Sequence, residues 1–333
     1  MPYDESSDIN RLIAGSQRIL IMQADNPDGD SLGSALALEH IIGDMGKEPL
    51  LYCGVHIPDY LHYLPGWDRV SNELPGQFDL SIIVDTSADS LFETLNKSGF
   101  RSRVAGKPCI VIDHHAVENT IDYAAVICNK PVVATGQIIY ELAAQLGWTL
   151  NSEAKSMIAV SIMSDSLGLV SEGTSARSIH IIGELVEGGV NLALLENARR
   201  VLMRKSAELT NYKGQLLQRI EYHADGRIAV IHVPWEEIER YSQAYNPSML
   251  VIDDMRSTLG VDVAIAFKTY NDGHITAKIR CNYGKTIAGE LAKQFGGGGH
   301  PYASGFKVND GRSYQSVKDA CITAGTELLN ALE

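Results

Sequence analysis

The 333-residue sequence is short of positive charge: 28 lysines and arginines stand against 41 aspartates and glutamates, a formal net charge of −13. That deficit opposes binding of a long polyanion such as duplex DNA, which needs clustered cations along its phosphates. Cysteine is scarce as well. Cys53, Cys109, Cys128, Cys281 and Cys321 are scattered, odd in number and without a CxxC pair, so they point to reduced thiols and not to a zinc site or a redox centre. The start, MPYDESSDINRLIAGSQR, lacks the basic and apolar stretches of a signal peptide, and no apolar run approaches the ~20 residues of a membrane span. The expectation is a cytoplasmic protein without a membrane partner. Repeats and low-complexity tracts are also missing, apart from four glycines at 296–299. What is present, 45% apolar and 21% charged residues, is the composition of a globular protein and excludes disorder, collagen and coiled coil.

Short apolar runs alternate with helical patterns through the first half, the mark of βα units and a parallel sheet. Strands are expected at RILIMQ (18–23), EPLLYC (48–53), DLSIIVD (79–85) and PCIVIDH (108–114). Helices are expected at SLGSALALEHIIGDMG (31–46), ATGQIIYELAAQLG (134–147) and SEAKSMIAVSIMSDS (152–166). The unbroken apolar runs suit strands covered on both faces. From Thr174 to about Lys213 the pattern is almost wholly helical. After Glu221 strands return at RIAVIHV (227–233), VDVAIAFKTY (261–270) and HITAKIRC (274–281), with a helix at KTIAGELAKQF (285–295) and a further strand at GFKV. The expected fold is α/β and two-lobed with a cleft between the lobes: a mostly parallel sheet flanked by helices over 1–190, a helical connector over 191–220, and a smaller α/β domain over 221–333.

In an open parallel sheet, ligands bind outside the carboxyl ends of the strands, so the residue after each apolar run is informative. Here it is repeatedly aspartate: Asp28 and Asp30 in NPDGDSLGS, Asp85 after DLSIIV, Asp113 with His114 and His115 after CIVI, and Asp165 at the end of MIAVSIMS. Each alone is an ordinary cap or turn aspartate. Converging on one sheet edge, uncompensated anions repel one another unless cations hold them, which points to a divalent metal site. Carboxylates with imidazole favour manganese or a similar first-row ion over calcium, which takes oxygen alone, and over structural zinc, which takes cysteine. Two ions about 3.5–4 Å apart that share a carboxylate are a common arrangement for hydrolysing phosphate esters.

In this order the residues resemble the motifs of the DHH family of phosphoesterases, named for the triplet that stands here as Asp113, His114, His115. NPDGDSLGS is similar to the first family motif, IIVDTS to the second, VIDHH to the third and SIMSDSLGL to the fourth. KIR at Lys278–Arg280 and FGGGGHPYASG at Phe295–Gly305 resemble the DHH-associated domain of the RecJ-like branch, so the likeness covers nearly the whole chain. The resemblance implies a metal-binding catalytic domain over 1–190 and a substrate-binding domain over 221–333. It implies two manganese ions, one held by Asp28 and Asp85, the other by Asp30, Asp85, His114 and Asp165, with Asp113, His114 and His115 as the catalytic triplet. His115, left free by that assignment, can stabilise phosphoryl oxygens or protonate the leaving group. One departure stands at Ala24, where family members carry a metal-binding histidine. Gln23 and Asp25 flank it, on strand positions that face the other way.

In the second half, glycines at Gly297, Gly298 and Gly299 allow a phosphate to approach the backbone, and His300 adds a donor. Arg280, at the end of an apolar strand, can grip a phosphate bidentately; the serine that usually follows it in the family is Cys281 here. YGKT at 283–286 contains the GKT of a P-loop, but the glycine required five residues earlier is Ile279, so no nucleoside triphosphatase follows. Arg199, Arg200, Arg204 and Lys205 read as a solvated helix face.

The length is similar to that of the family's stand-alone oligoribonucleases and dinucleotide phosphodiesterases. The resemblance therefore implies a manganese-dependent phosphodiesterase that hydrolyses short single-stranded RNA or dinucleotides, such as pApA or a cyclic dinucleotide, to mononucleotides with metal-activated water. A homodimer is compatible with it. Two readings stay beside it: a nucleotide-binding module that lost turnover with the histidine at Ala24, and a 3′-phosphoadenosine 5′-phosphate phosphatase. Inorganic pyrophosphatase, which uses a related first domain, is disfavoured by the GGGGH-type second domain.

Overall fold

Apolar runs long enough to be covered from both sides build the first sheet. In the computed structural model, which describes residues 3–332, the chain divides between Arg204 and Lys205 into two units. The first contains α1 (Ser6–Ala14), β1 (Arg18–Gln23), α2 (Gly29–Asp44), β2 (Glu48–Cys53), β3 (Leu80–Val84), α3 (Glu93–Lys97), α4 (Arg101–Ala105), β4 (Cys109–Asp113), β5 (Val126–Asn129), α5 (Thr135–Leu146), α6 (Ser152–Asp165), α7 (Ala176–Glu187) and α8 (Leu192–Leu202). Its sheet runs β2-β1-β3-β4-β5, every pair parallel. Alternate residues of the strands serve two cores. Ile19, Ile21, Ile82 and Ile112 pack with α2, α5 and α6, whereas Leu20, Met22, Ile83 and Val111 pack with Phe92, Leu95 and Val104. Each such side chain contributes about 1.5–3 kcal/mol by leaving water.

The parallel sheet brings the carboxyl ends of β1, β3 and β4 to one edge. On the sheet face that packs with α2, α5 and α6, α2 and α6 lie against each other because Gly29 and Gly33 of α2 have no side chains. A Cβ at Gly33 would stand 2.9 Å from the Met157 carbonyl oxygen, and one at Gly29 2.5 Å from the Ser164 hydroxyl. This approach matters for function, since α2 carries Asp30 and α6 ends on Asp165.

The second unit contains α9 (Ala207–Gln218), β6 (Glu221–His223), β7 (Ile228–Val233), α10 (Trp235–Tyr241), α11 (Pro247–Arg256), β8 (Val263–Thr269), β9 (Ile275–Cys281), α12 (Ala288–Lys293), β10 (Gly298–His300), β11 (Ala303–Val308) and α13 (Tyr314–Asn330). Its sheet runs β10-β11-β9-β8-β7-β6. Only β7 and β8 pair in parallel; the other pairs are antiparallel. It too has a core on each face.

The span expected as a connector, 191–220, is no separate element. α8 belongs to the first unit and α9 to the second, with a non-helical break between them. The glycine tract expected as a loop instead enters β10, the edge strand of a hairpin with β11. Gly297 has a packing reason to be glycine, because any Cβ there would collide with the Gly305 carbonyl. Among the described residues no single helix is long and apolar enough to cross a membrane.

Candidate metal centre

Four of the expected ligands meet at one point. His114 Nε2 lies 3.4 Å from Asp30 Oδ2, 3.3 Å from Asp85 Oδ1 and 3.3 Å from Asp165 Oδ2. The ring is oriented from its far side, where Nδ1 stands 3.1 Å from the Val132 carbonyl. That bond makes Nδ1 the protonated nitrogen in the neutral ring and leaves Nε2 as a lone pair facing three carboxylates. Nε2 itself is buried and has no hydrogen-bond partner. An orphaned imidazole nitrogen among carboxylates costs free energy as it stands; Asp30, His114 and Asp165 offer donor atoms close enough to share one divalent cation, and Asp85 stands with His114 and His115 in a second such group. Oxygen donors with one imidazole fit such an ion.

The electrostatics agree. Burial, and then the charge of Asp165, pushes the Asp30 carboxyl up to about 6. Burial and Asp30 push Asp85 well above the usual carboxylate range. Burial works to lower His114, but the Asp165 and Asp85 carboxylates outweigh it and push the imidazole up to about 11. Carboxylates and an imidazole buried this close together hold their protons more tightly than when isolated.

Asp30 is fully buried and rests in a cradle that the sequence did not announce. Thr135 N donates to its Oδ2 at 2.8 Å; Ser34 Oγ and Ser161 Oγ donate to Oδ1 at 3.0 and 2.5 Å. Thr135 N is the first N–H of α5, so the positive end of that helix faces the carboxylate. Thr135 Oγ1 donates in turn to Asp85 Oδ1 at 3.1 Å. Asp85 holds a left-handed backbone, φ 64°, a strained conformation of the kind that persists where structure around it fixes it.

Asp113 is not at the ring. It is buried, with Oδ1 accepting from His115 Nδ1 at 2.8 Å and from His114 N at 2.8 Å, and Oδ2 from Ser87 Oγ at 2.6 Å. Its carboxylate thus faces Ser87 and the two histidines, so that Asp113, expected among the catalytic triplet, stands where it positions His115. His115 is half-exposed, and hydrogen bonding from Asp113 raises its pKa. The bond at Nδ1 leaves Nε2 for a ligand. Asn129, from β5, donates to the His115 carbonyl at 2.9 Å.

Asp28 is placed differently from the other acids. It caps α2, its Oδ1 accepting from Asp30 N and Ser31 N, both at 3.0 Å, while Ser31 Oγ accepts from Asp28 N at 2.9 Å. It lines a cavity of about 150 Å³ with Ala24, Asn26, Asp85 and His115, the space that a larger side chain at position 24 would enter. Asp25 does not line that cavity: its Oδ2 accepts from Thr94 N at 2.7 Å and its Oδ1 lies against Gly54. Gln23 is wholly buried, with neither amide atom bonded.

In the second unit, Arg280 stands opposite Ala303 across β9 and β11, and His300 opposite Ala303 across β10 and β11, so both expected phosphate binders flank the same residue. Gly298 alone of the three glycines has open space where its side chain would be; Gly299, at φ 136°, lies against Ser304 and Ala303.

Residues 18–174 match the DHH family, N-terminal domain, and residues 241–326 the DHHA1 domain. The bifunctional oligoribonuclease and PAP phosphatase NrnA of Thermus thermophilus is 26% identical over 306 residues, covering 89% of this chain and 86% of that protein. The protein of the same name from Bacillus subtilis is 24% identical, over 91% of this chain and 93% of that protein. The crystal structure of an exopolyphosphatase-related protein from Bacteroides fragilis has the same fold, with a TM-score of 0.83 at 21% identity over 98% of this chain and 97% of that one.

Proposed function

The chain belongs to the DHH family and is a hydrolytic phosphoesterase; from that premise we propose that it cleaves short oligoribonucleotides and dinucleotides such as pApA to mononucleotides, with manganese. The observation that carries the reading is His114 Nε2, buried, unbonded and faced by Asp30, Asp85 and Asp165. Asp30, His114 and Asp165, with Asp85 beside them, would hold the manganese, which when bound would supply Lewis-acid activation of water and of the phosphoryl group.

The chain's own residues do the rest. Asp113 holds His115 with Nδ1 engaged, so that Nε2 donates to a phosphoryl oxygen or to the departing nucleoside oxygen. Arg280 and His300, with the open backbone at Gly298, bind the nucleotide phosphates. We assign a complete donor set to one ion. The second position that the resemblance implies keeps Asp28 and Asp85, but Ala24 offers no donor and Asp25 is bound to Thr94 N. The names of the relatives also support 3′-phosphoadenosine 5′-phosphate as a second substrate.

The test is hydrolysis of pApA and of 3′-phosphoadenosine 5′-phosphate, with manganese, magnesium or chelator, beside His114→Ala. Manganese-dependent release of AMP is expected, with a loss in His114→Ala beyond the ~10–100-fold typical of residues one shell out from a metal. Tight binding of pApA without product at saturating manganese would overturn the reading in favour of a nucleotide-binding module.

A further inference from the structure

Tyr283 lies in the turn that follows β9 and is 83% exposed. The backbone that carries it is fixed on both sides. Before it, Asn282 Nδ2 donates to the Arg256 and Val261 carbonyls at 2.8 and 2.7 Å, and Asn282 N to the Asp262 carbonyl at 2.8 Å. After it, Gly284 turns the chain at φ 78° and donates its N–H to Tyr302 Oη at 3.4 Å, while Lys285 N closes the turn on the Asn282 carbonyl at 3.0 Å. A single exposed ring is ordinary; one carried by so pinned a turn keeps a fixed position. The other exposed aromatic side chains among the described residues are engaged: Tyr60 with the Pro27 carbonyl, Phe100 under Arg103 and Tyr222 with Thr258. Among the same residues the Tyr283 side chain has no hydrogen-bond partner and no cation over its ring.

Beside it stands a parallel ring. Tyr283 and Tyr302 have centroids 6.5 Å apart and planes 5° from parallel. His300 continues the row, 6.0 Å from Tyr302 and tilted by 25°. Tyr302 is the anchored member: its carbonyl accepts from Cys281 N at 2.9 Å, and it packs against the core of the second unit. The spacing is not that of a closed stack. Tyr212 and Tyr241, which cover each other's faces, lie 3.8 Å apart at 12°, close to the ~3.5–4.0 Å of carbon–carbon contact. At 6.5 Å the faces of Tyr283 and Tyr302 are not spent on each other. Two aromatic faces are thus held parallel and in place, an arrangement that suits a planar ring brought by a ligand.

We propose that Tyr283 and Tyr302 form a stacking platform for one unpaired nucleobase of the substrate. Every base has a π-face, and stacking on an aromatic side chain strengthens binding about five- to hundredfold per base. A base within a duplex has its faces covered by its neighbours, whereas one in a dinucleotide or short single strand is free to stack. The inference rests on the proposed function, because it names the part of that same substrate that is recognised besides phosphate. His300, proposed there as a phosphate binder, lies in the same hairpin as Tyr302, whose N donates to His300 Nδ1 at 3.4 Å. Base and phosphate therefore fall to neighbouring residues.

The test is equilibrium binding of pApA, and of an analogue in which both bases are replaced by hydrogen, to the full-length protein in chelator so that neither is cleaved. Wild type is expected to bind pApA at least about tenfold tighter than the base-free analogue. Tyr283→Ala brings that ratio to about three or less, Tyr283→Phe retains most of it, and the base-free analogue binds all three proteins alike. Tyr283→Ala is expected to melt within a few degrees of wild type, as surface substitutions do, so that a lost preference for bases is not a lost fold. A wild-type ratio near one, or a ratio that Tyr283→Ala leaves unchanged, overturns the inference. Hydrolysis with manganese is scored separately: absence of cleavage removes the functional reading, and the binding ratio still decides this one.

Discussion

At His114 Nε2 a proton and a divalent ion compete for one lone pair. In the metal-free site the Asp165 and Asp85 carboxylates push this imidazole up to about 11, so the nitrogen is protonated throughout the neutral range. Coordination requires it neutral. Each ion bound near pH 7.5 is therefore expected to release at least one proton, and affinity to rise with pH. Below about pH 6, Asp30 also takes up a proton and affinity falls more steeply. Manganese titration calorimetry in two buffers of different ionisation enthalpy measures the count; a value near zero contradicts it. Asp113 gives a second residue-scale expectation. Its hydrogen bond raises the pKa of His115, keeping a donor proton to higher pH. Asp113→Asn is expected to lower kcat, to shift the alkaline limb of the kcat/KM profile to lower pH, and to leave manganese binding within about tenfold, because Asp113 touches none of the carboxylates of the ring. A profile that drops uniformly without shifting would mean that His115 is not the donor.

Between elements, the site depends on how closely α2 and α6 approach. Gly33 and Gly43 both lie in α2, yet a Cβ at Gly33 meets the Met157 carbonyl and the Ser161 nitrogen, whereas one at Gly43 meets nothing within 4 Å. Gly33→Ala is expected to cost about 1–3 kcal/mol by overpacking and to weaken manganese binding by separating Asp30 from Asp165. Gly43→Ala is expected to stabilise by up to about 1 kcal/mol through helix propensity; denaturant midpoints for the two variants check both. This contrast was not legible in the sequence, since both glycines sit in the same expected helix. The same scale explains what could be read and what could not. β1 to β4 declared themselves because apolar runs covered on both faces have one reading. β5 did not, since it is a four-residue edge strand with Ile127 exposed. α11 and α13 were missed: α11 opens on Asn246 and Pro247, which resemble a turn, and α13 carries Gly325 among threonines, weak helix formers. The candidate ligands were legible because each follows an apolar run. The roles of Thr135, Ser161 and Asn129 were not, since they reach Asp30 and His115 only through long-range packing. Asp113 shows the converse: sequence adjacency grouped it with His114, but alternation at the strand end turned its carboxylate elsewhere.

For the molecule as a whole, the buried hydrophobic residues of the two units fall in separate cores: among the described residues those of the first unit end at Val190 and those of the second begin at Leu209. The ligand chemistry divides the same way. The residues proposed to hold a divalent cation lie in the first unit; Arg280 and His300, proposed to bind phosphate, lie in the second. A ligand that binds only the folded form stabilises by RT ln(1 + [L]/Kd), about 2.7 kcal/mol at a hundredfold excess over Kd. In units of this size that corresponds to a shift of about 5–15 °C. Two unfolding transitions are therefore expected in calorimetry of the full chain, manganese raising one and inorganic phosphate the other. His114→Ala is expected to abolish the first shift and leave the second; Arg280→Ala is expected to do the reverse. Should manganese and phosphate move a single transition together, the two units unfold as one cooperative body, and the stabilities of the metal ring and the phosphate-binding residues are linked through it.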